Sequence, residues 1–368
     1  MALAVLVIAA WAYLLCARGR FWQAGPVLSA RRPEREPRVT VVVPARDEAP
    51  FVARTLGALL AQQYGAFDVV LVDDGSSDGT GAIARRIVDP RLRVLAGQPP
   101  PGGWSGKLWA VAQGIAASDA EFVLLTDADI AHEPGHLAAV VAHAEACRLD
   151  LVSEMVRLNC VSRAERLLVP AFVYFFQLLY PFAWVNDRAH ATAAAAGGTM
   201  LLRRDALERI GGIAAIRGAL IDDVALARAV KRRGPIWLGH GTLAHSLRSY
   251  PRAGDIWRMI ARSAFVQLRY SWALVALTTL AMALVFMAPP LLAIFGHGIV
   301  RWFGLFAWIA ESASFLPTLR RFGLSPLRAP LLPAIAVFYA AATIGSALQH
   351  TFGGGLAWKR RVYRELRA

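Results

Sequence analysis

Cysteine is scarce in this sequence, and acid is outnumbered by base. The 368 residues include three cysteines, Cys16, Cys147 and Cys160, an odd number with no Cys-x-x-Cys pair. They imply a reducing compartment and ordinary packing. Asp and Glu total 26 against 40 Lys and Arg, a net charge of +14, with a pI near 10.6. No nucleic-acid-binding signature accompanies that charge, so nucleic acid is set aside as a partner. Only 18% of residues are charged while 56% are hydrophobic, and mean hydropathy is +0.43. This is too apolar for an ordinary soluble enzyme, so membrane contact is expected. The bases cluster beside apolar stretches, at Arg18–Arg35, Arg248–Arg269 and Lys359–Arg367. That placement predicts a lipid bilayer with anionic lipids on the cytoplasmic side.

The apolar run Met1–Cys16 has no base ahead of it, and Arg18 and Arg20 follow. A cleaved signal peptide carries its positive charges first. Residues 1–17 therefore read as a membrane anchor, and 18–37 as a basic, Pro-containing linker. From Arg38 the pattern changes to alternating strand and helix. Val39–Val43, Asp68–Val72, Leu92–Leu95 and Glu121–Thr126 read as buried strands. Ala49–Tyr64, Asp78–Val88 and Gly106–Ala117 read as the helices between them. Such alternation predicts an α/β domain with a parallel sheet and right-handed crossovers.

Open α/β sheets bind ligands at the carboxyl ends of their strands, and acids gather there. In FVLLTDADI (Phe122–Ile130), Asp127 and Asp129 follow the fourth strand. Carboxylates at i and i+2 suit a hard divalent cation, Mg²⁺ or Mn²⁺, that shares a substrate's phosphate oxygens. After the second strand, VDDGSSDGT places Asp73 and Asp74 at the strand mouth. Capping explains Ser77 and Asp78, whereas the adjacent acids suit recognition of a nucleotide. Pro44–Glu48 puts further polar groups on the same edge. The glycine-rich loop Gly102–Gly106 leads to Lys107, which suits a diphosphate; a solvated lysine at a helix start is the alternative.

Taken in order, VVVPARDE, VDDGSSDGT, GKLWAVAQG and TDAD resemble the inverting family 2 glycosyltransferases of GT-A fold. With the anchor and the GWSGK and AWKRRVY stretches added, the chain most resembles the bacterial hopene-associated glycosyltransferases. The resemblance covers Val39–Ser263 well and the remainder loosely. It implies a Rossmann-like nucleotide-diphospho-sugar transferase domain over residues 38–263, on the cytoplasmic side of a bacterial inner membrane. By position, Glu48 and Asp74 fall to the nucleotide base and ribose, and Asp127 and Asp129 to the metal and diphosphate. Asp222-Asp223 matches the motif that holds the catalytic base, with Asp in place of its first Glu. Gly197-Gly198-Thr199 matches the acceptor-side turn. The last pocket motif, Gln/Arg-x-x-Arg-Trp, is matched only at Arg262, with Met259 and Ser263 at the other positions, which disfavours a processive polymerase.

The reaction implied is metal-dependent transfer from a nucleotide sugar, expected to be a UDP-sugar, to a membrane lipid hydroxyl in hopanoid biosynthesis. The alternatives are other acceptors (a polyprenyl phosphate, a carotenoid, a diacylglycerol) and a non-catalytic membrane scaffold. A phosphate acceptor would need added base near Asp223, for which Arg203 and Arg204 are the candidates. Pro134 between His132 and His136 disfavours a metal site there. His240 or His245 is a candidate further ligand, as a late histidine is in some GT-A enzymes; a plain loop histidine is the alternative.

Leu167–Val185 has 19 uncharged residues, long enough to span a membrane. A single crossing would separate Asp127 and Asp129 from Asp223, and Pro170, Pro181 and Gln177 interrupt it. It is therefore expected to lie in the interface or re-enter from the cytoplasmic side, with a buried core helix as the alternative. Membrane helices are expected within residues 264–350, at Ser271–Phe295, Trp302–Leu319 and Ala329–Gln349, with a kink at Pro289-Pro290 and a basic tail over 351–368. Three plain crossings cannot place both Arg320–Arg328 and Lys359–Arg367 in the cytoplasm.

Overall fold

The computed structural model describes residues 1–352 and the backbone of two short paired strands, Leu356–Trp358 and Arg361–Tyr363. The side chains of the basic tail and of the AWKRRVY stretch lie outside the described residues.

Among the described residues, eight strands form one mixed sheet. They are β1 (Val39–Ala45), β2 (Phe67–Asp73), β3 (Leu92–Ala96), β4 (Phe122–Thr126), β5 (Ile130–His132), β6 (Leu151–Arg157), β7 (Thr199–Arg203) and β8 (Ile236–Ser246), in the order β3-β2-β1-β4-β7-β6-β8-β5. The four strands read from sequence, β1 to β4, are mutually parallel. Beyond β4 the sheet turns mixed: β7 runs antiparallel to both β4 and β6, while β6 and β8 are parallel. The helices are shorter than their apolar spacing suggests, at Val52–Leu60, Thr80–Arg85 and Gly106–Ala116. Polar turn residues claim the flanks: Thr80 Oγ1 accepts the Glu48 amide, and Asp78 accepts those of Ala49 and Thr80.

Burial explains the Val-rich strands, since Val41, Val43, Leu71 and Leu124 pack under Leu56 and Leu59 of one helix and Leu137 and Val141 of another. On the opposite face Val70 and Val72 meet Ala110. A Cβ at Gly114 would stand 2.4 Å from Val42 Cγ1, so glycine is what lets helix Gly106–Ala116 approach β1.

The chain divides into two units. The sheet unit comprises Pro26–Asn159 and Trp184–Ser249; the helical unit comprises Met1–Gly25, Cys160–Ala183 and the chain from Tyr250. The helical unit holds three helices long and apolar enough to cross a membrane: Trp272–Phe295, Gly298–Arg321 and Pro326–Phe352. Ala2–Cys16 is a shorter apolar helix of 15 residues. Helix Arg163–Leu179 opens on a Ser162–Glu165 capping box, runs through Pro170 and stops at Tyr180, ahead of Pro181. It too belongs to the helical unit.

At Pro289-Pro290 the expected disturbance takes the form of a π-helical turn, Ala283–Met287, just before the prolines. A proline at 289 cannot donate back to the carbonyl four residues earlier. That carbonyl, of Val285, instead accepts the Trp11 indole N–H at 2.8 Å.

Candidate active site

The carboxyl edge of the sheet is assembled by register. Parallel pairing sets Pro44 beside Val72 and Ala45 beside Asp73, and antiparallel β7 sets Thr199 beside Thr126. The end of β4 and the entry to β7 therefore meet at one place. Helix Gly106–Ala116 starts there too, capped by Ser105 Oγ, which accepts the Leu108 amide. Lys107 in its first turn faces the acids. Helix Asp222–Lys231 also begins at this edge, with acids in its first turn and Arg228 and Lys231 in its last, the polarity its dipole favours.

Pro44, Lys107, Thr126, Asp127, Gly197 and Asp222 line a common pocket. Lys107 Nζ bridges Asp127 Oδ1 and Asp222 Oδ2, each at 3.0 Å. Burial alone would lower the lysine's pKa, but Asp127 and Asp222 outweigh it and hold it raised. Asp223 Oδ2 accepts the Gly197 N–H at 2.9 Å, and Oδ1 accepts its neighbour Val224's N–H at 2.7 Å. Burial, and then the Asp222 charge, push Asp223 up to about 7, while Lys107 and the two amides pull the other way. A Cβ on Gly197 would stand 3.4 Å from Asp223 Oδ2 and 3.7 Å from Lys107 Nζ, in ordinary contact with both.

A second cluster adjoins the first. Arg248, just past β8, donates from Nη2 to both Glu48 oxygens at 2.9 and 2.6 Å and from Nε to Asp129 Oδ2 at 2.6 Å. Its guanidinium also lies 4.8 Å from the centre of the Phe51 ring. Sequence reading counted Arg248 among membrane-facing bases. No signal in the sequence marks it, because the strand it follows carries His240 and His245 and does not read as a strand.

The predicted residues thus fall into groups. Pro44, Lys107, Asp127, Gly197, Asp222 and Asp223 come together, with Gly198 and Thr199 continuing the turn into β7. Glu48 and Asp129 meet through Arg248. Asp73 Oδ1 accepts the Ser76 amide and so closes its own turn, and buried Asp74 has Arg46 beside it, Nη1 to Oδ2 3.8 Å. Arg262 is exposed and lies in the helical unit.

One expectation is overturned. Arg203 and Arg204 do not supply base beside Asp223. Antiparallel β7 enters at Thr199 on the site edge and exits at Arg203 beside Phe122, at the other end of the strand. There Arg203 pairs with Glu145 at 2.5 Å, and Arg204 Nε donates to the Ala120 carbonyl at 2.6 Å.

Burial, with added repulsion from Asp129 and Asp222, raises the Asp127 pKa against the pull of Lys107. Crowded carboxylates of this kind fit a hard divalent cation that takes its other ligands from phosphate and water. Among the described residues no three His, Cys, Asp or Glu side chains could hold a metal by themselves. His132 and His136 are bonded to each other, Nδ1 to Nδ1 at 3.1 Å, and His245 sits 3.8 Å from Glu133.

Residues 40–211 match the family model described as Glycosyl transferase family 2. The succinoglycan biosynthesis protein ExoO of Rhizobium meliloti is 34% identical over 155 residues, 38% of this chain and 43% of that protein. The probable glycosyltransferase YdaM of Bacillus subtilis is 24% identical over 225 residues, 59% of this chain and 50% of that one. The chain therefore spans half or less of the length of these curated relatives. Among solved structures, the mannosyltransferase PcManGT from Pyrobaculum calidifontis aligns over 96% of this chain and 99% of its own, with TM-score 0.56 and 21% identity. Residues 40–211 of this chain are thus similar to family 2 glycosyl transferases, and the mixed sheet with its helices is GT-A-like in fold.

Proposed function

We propose that the protein transfers a sugar from a nucleotide sugar, expected to be a UDP-sugar, to the hydroxyl of a membrane lipid with inversion at the anomeric carbon. The observation that carries this reading is Asp223, a carboxylate fixed by the amide of pocket-lining Gly197 and pushed up to about 7, beside a pocket lined by Lys107, Asp127 and Asp222. A base is most effective when its pKa lies near the working pH. Asp223 takes the acceptor hydroxyl's proton as that oxygen attacks opposite the leaving diphosphate. Lys107 offsets negative charge at the pocket, and Asp127 and Asp129 would hold Mg²⁺ or Mn²⁺. When bound, such a cation supplies Lewis-acid stabilisation of the departing diphosphate. Because charge on the leaving group is offset there, no separate general acid is required.

A lipid acceptor is supported by the three apolar helices in the same chain. Support also comes from a match, 30% identical over 92 residues, to a 4,4'-diaponeurosporenoate glycosyltransferase of Staphylococcus aureus. The hopene-derived lipid proposed here rests on the resemblance carried by the apolar N-terminal run and the GWSGK and AWKRRVY stretches. The placement proposed is a multi-pass inner-membrane protein with the sheet unit in the cytoplasm, and helix Arg163–Leu179 lying in the interface to guide the acceptor hydroxyl. PcManGT holds GDP-Man and Mn²⁺, the same ligand classes proposed for this site.

Mass spectrometry of lipids from cells with and without the protein tests the reading. One hexose-bearing lipid should be missing without it and should be restored by wild type but not by Asp223→Asn. Identical lipid profiles would refute it, as would normal turnover by the variant. A test with purified full chain in anionic vesicles, offering UDP-sugars and GDP-sugars in turn, identifies the donor base.

A further inference from the structure

From Thr126 in the pocket wall a hydrogen-bonded line runs back into the sheet, and none of the proposed chemistry uses it. Glu154 on β6 is fully buried, and its Oε2 lies 2.6 Å from His136 Nε2. His136 Nδ1 lies 3.1 Å from His132 Nδ1, and His132 Nε2 lies 2.9 Å from Thr126 Oγ1. Thr126 Oγ1 in turn donates to the Gly198 carbonyl at 2.9 Å. All four side chains are buried, none more than 3% exposed.

The direction of every proton in this line follows from its last member. A carbonyl oxygen only accepts, so Thr126 must donate to Gly198 and accept from His132 Nε2–H. His132 is held neutral by burial and by the neighbouring histidines, which lower its pKa well below the usual value. Its Nδ1 therefore accepts from His136 Nδ1–H. The remaining proton lies between His136 Nε2 and Glu154, and the line admits one tautomer of His132.

The far end of this line holds the turn that presents Asp223. Ala196 is fastened on its other side by Ser153 of β6, whose Oγ accepts the Ala196 amide at 2.8 Å and donates to its carbonyl at 3.1 Å. Between these two fastenings, Gly197 donates its N–H to Asp223. Gly198 is tightly packed, since a Cβ would stand 3.0 and 3.1 Å from the two γ-carbons of Val156, which would have to give way.

We infer that Glu154, His136, His132 and Thr126 form a buried positioning relay that locks the Gly197–Gly198 turn and so fixes the orientation of the Asp223 carboxylate. The inference rests on the reading of Asp223 as the base of the proposed transfer. Thr126 lines the pocket, but its hydroxyl is committed to His132 and the Gly198 carbonyl, and the other three lie behind it, so each acts as a positioning residue. A buried hydrogen-bonded line favours a single arrangement of its members, which is what such a turn needs; within it, Glu154 Oε1 is left without a hydrogen-bond partner among the described residues.

The test uses the full-length protein in lipid vesicles with Thr126→Val, Thr126→Ser, His132→Gln and the Thr126→Val/His132→Gln double variant. Thr126→Val keeps the shape of the side chain and removes the hydroxyl. It should lower kcat by about 10- to 100-fold, the cost of misplacing a reacting group slightly, with the donor KM within about twofold of wild type. Thr126→Ser should restore kcat to within about threefold. The double variant should be no worse than the poorer single, because the two residues act in series. A serine variant as slow as the valine one would overturn the inference; so would a loss confined to donor KM, or fully multiplicative losses.

A second readout does not depend on catalysis. In ¹⁵N-histidine-labelled protein, His132 should show the Nε2–H tautomer, and Thr126→Val should shift the Gly197 amide signal. If wild type transfers no sugar while both signals behave as stated, the catalytic reading fails and the relay stands. A doubly protonated or Nδ1–H His132, or an unmoved Gly197 amide, overturns the relay whatever the activity.

Discussion

Asp222→Asn and Lys107→Met should move the pH dependence of transfer in opposite directions. Asp223 works as a base only when deprotonated, and its pKa is pushed up to about 7. The wild-type rate should therefore climb about tenfold between pH 6 and pH 8, as the ionised fraction rises from about 0.09 to about 0.9. Asp222 is the largest charge contribution raising that pKa, and Lys107 opposes it. A unit charge about 6 Å away contributes roughly 0.7 kcal/mol at a dielectric of 80 and about 2.8 kcal/mol at 20. Dividing by about 1.36 kcal/mol per unit gives a displacement of roughly 0.5 to 2 pH units. Removing the Asp222 charge should shift the acid limb to lower pH by that amount, and removing Lys107 should shift it to higher pH. The assay is single-turnover transfer at saturating donor from pH 5 to 9, so that weaker donor binding does not contaminate the limb. Limbs that stay put, or move the same way in both variants, would refute Asp223 as the titrating base.

Other outcomes follow from the same geometry. Asp223→Asn should lower kcat by about 10²–10⁴-fold while nucleotide-sugar binding measured by calorimetry is retained. Because the folded pKa of Asp223 lies above its ordinary value of 3.8, its contribution to stability is full below about 4 and is lost as pH rises through about 7. Asp223→Asn should therefore flatten the fall in Tm over that window. Asp129→Asn should weaken activation by Mn²⁺ or Mg²⁺ in a titration, and an unchanged midpoint would remove Asp129 from the metal site. Arg248→Met leaves Glu48 and Asp129 without the guanidinium that bridges them. It should cost about 1–3 kcal/mol of stability, read by denaturant melts and partly recovered by added Mn²⁺. Gly114→Ala forces a methyl against Val42 and should destabilise by about 1–3 kcal/mol, whereas an unchanged melt would show that the helix can withdraw from β1.

Half of the sheet and most of its acids were legible in the residues alone. Runs such as Val39–Val43 and Phe122–Leu125 are short, largely apolar and bounded by turn residues, which reads as a strand buried on both faces. The acids after each run then had to fall on one edge, because parallel strands end together. Beyond β4 this reasoning lost its grip. Strands β6 and β8 carry Glu154, His240 and His245 among their apolar residues, and polar residues in a strand hide its period. Without β7 running antiparallel, nothing in the order of residues says that Arg203 and Arg204 lie at the opposite edge from Thr199.

Local chemistry therefore determined which residues are acids at strand ends, where the parallel half of the sheet lies, and which stretches are apolar enough for a bilayer. Tertiary structure alone decided the partners: Arg248 on Glu48 and Asp129 across 200 and 119 residues, Lys107 between Asp127 and Asp222, and the line from Glu154 to Gly198. Hydrophobic periodicity is a property of neighbouring residues and can be read along the chain. The pairing of a charge or a proton depends on distance in space, which only the folded register fixes.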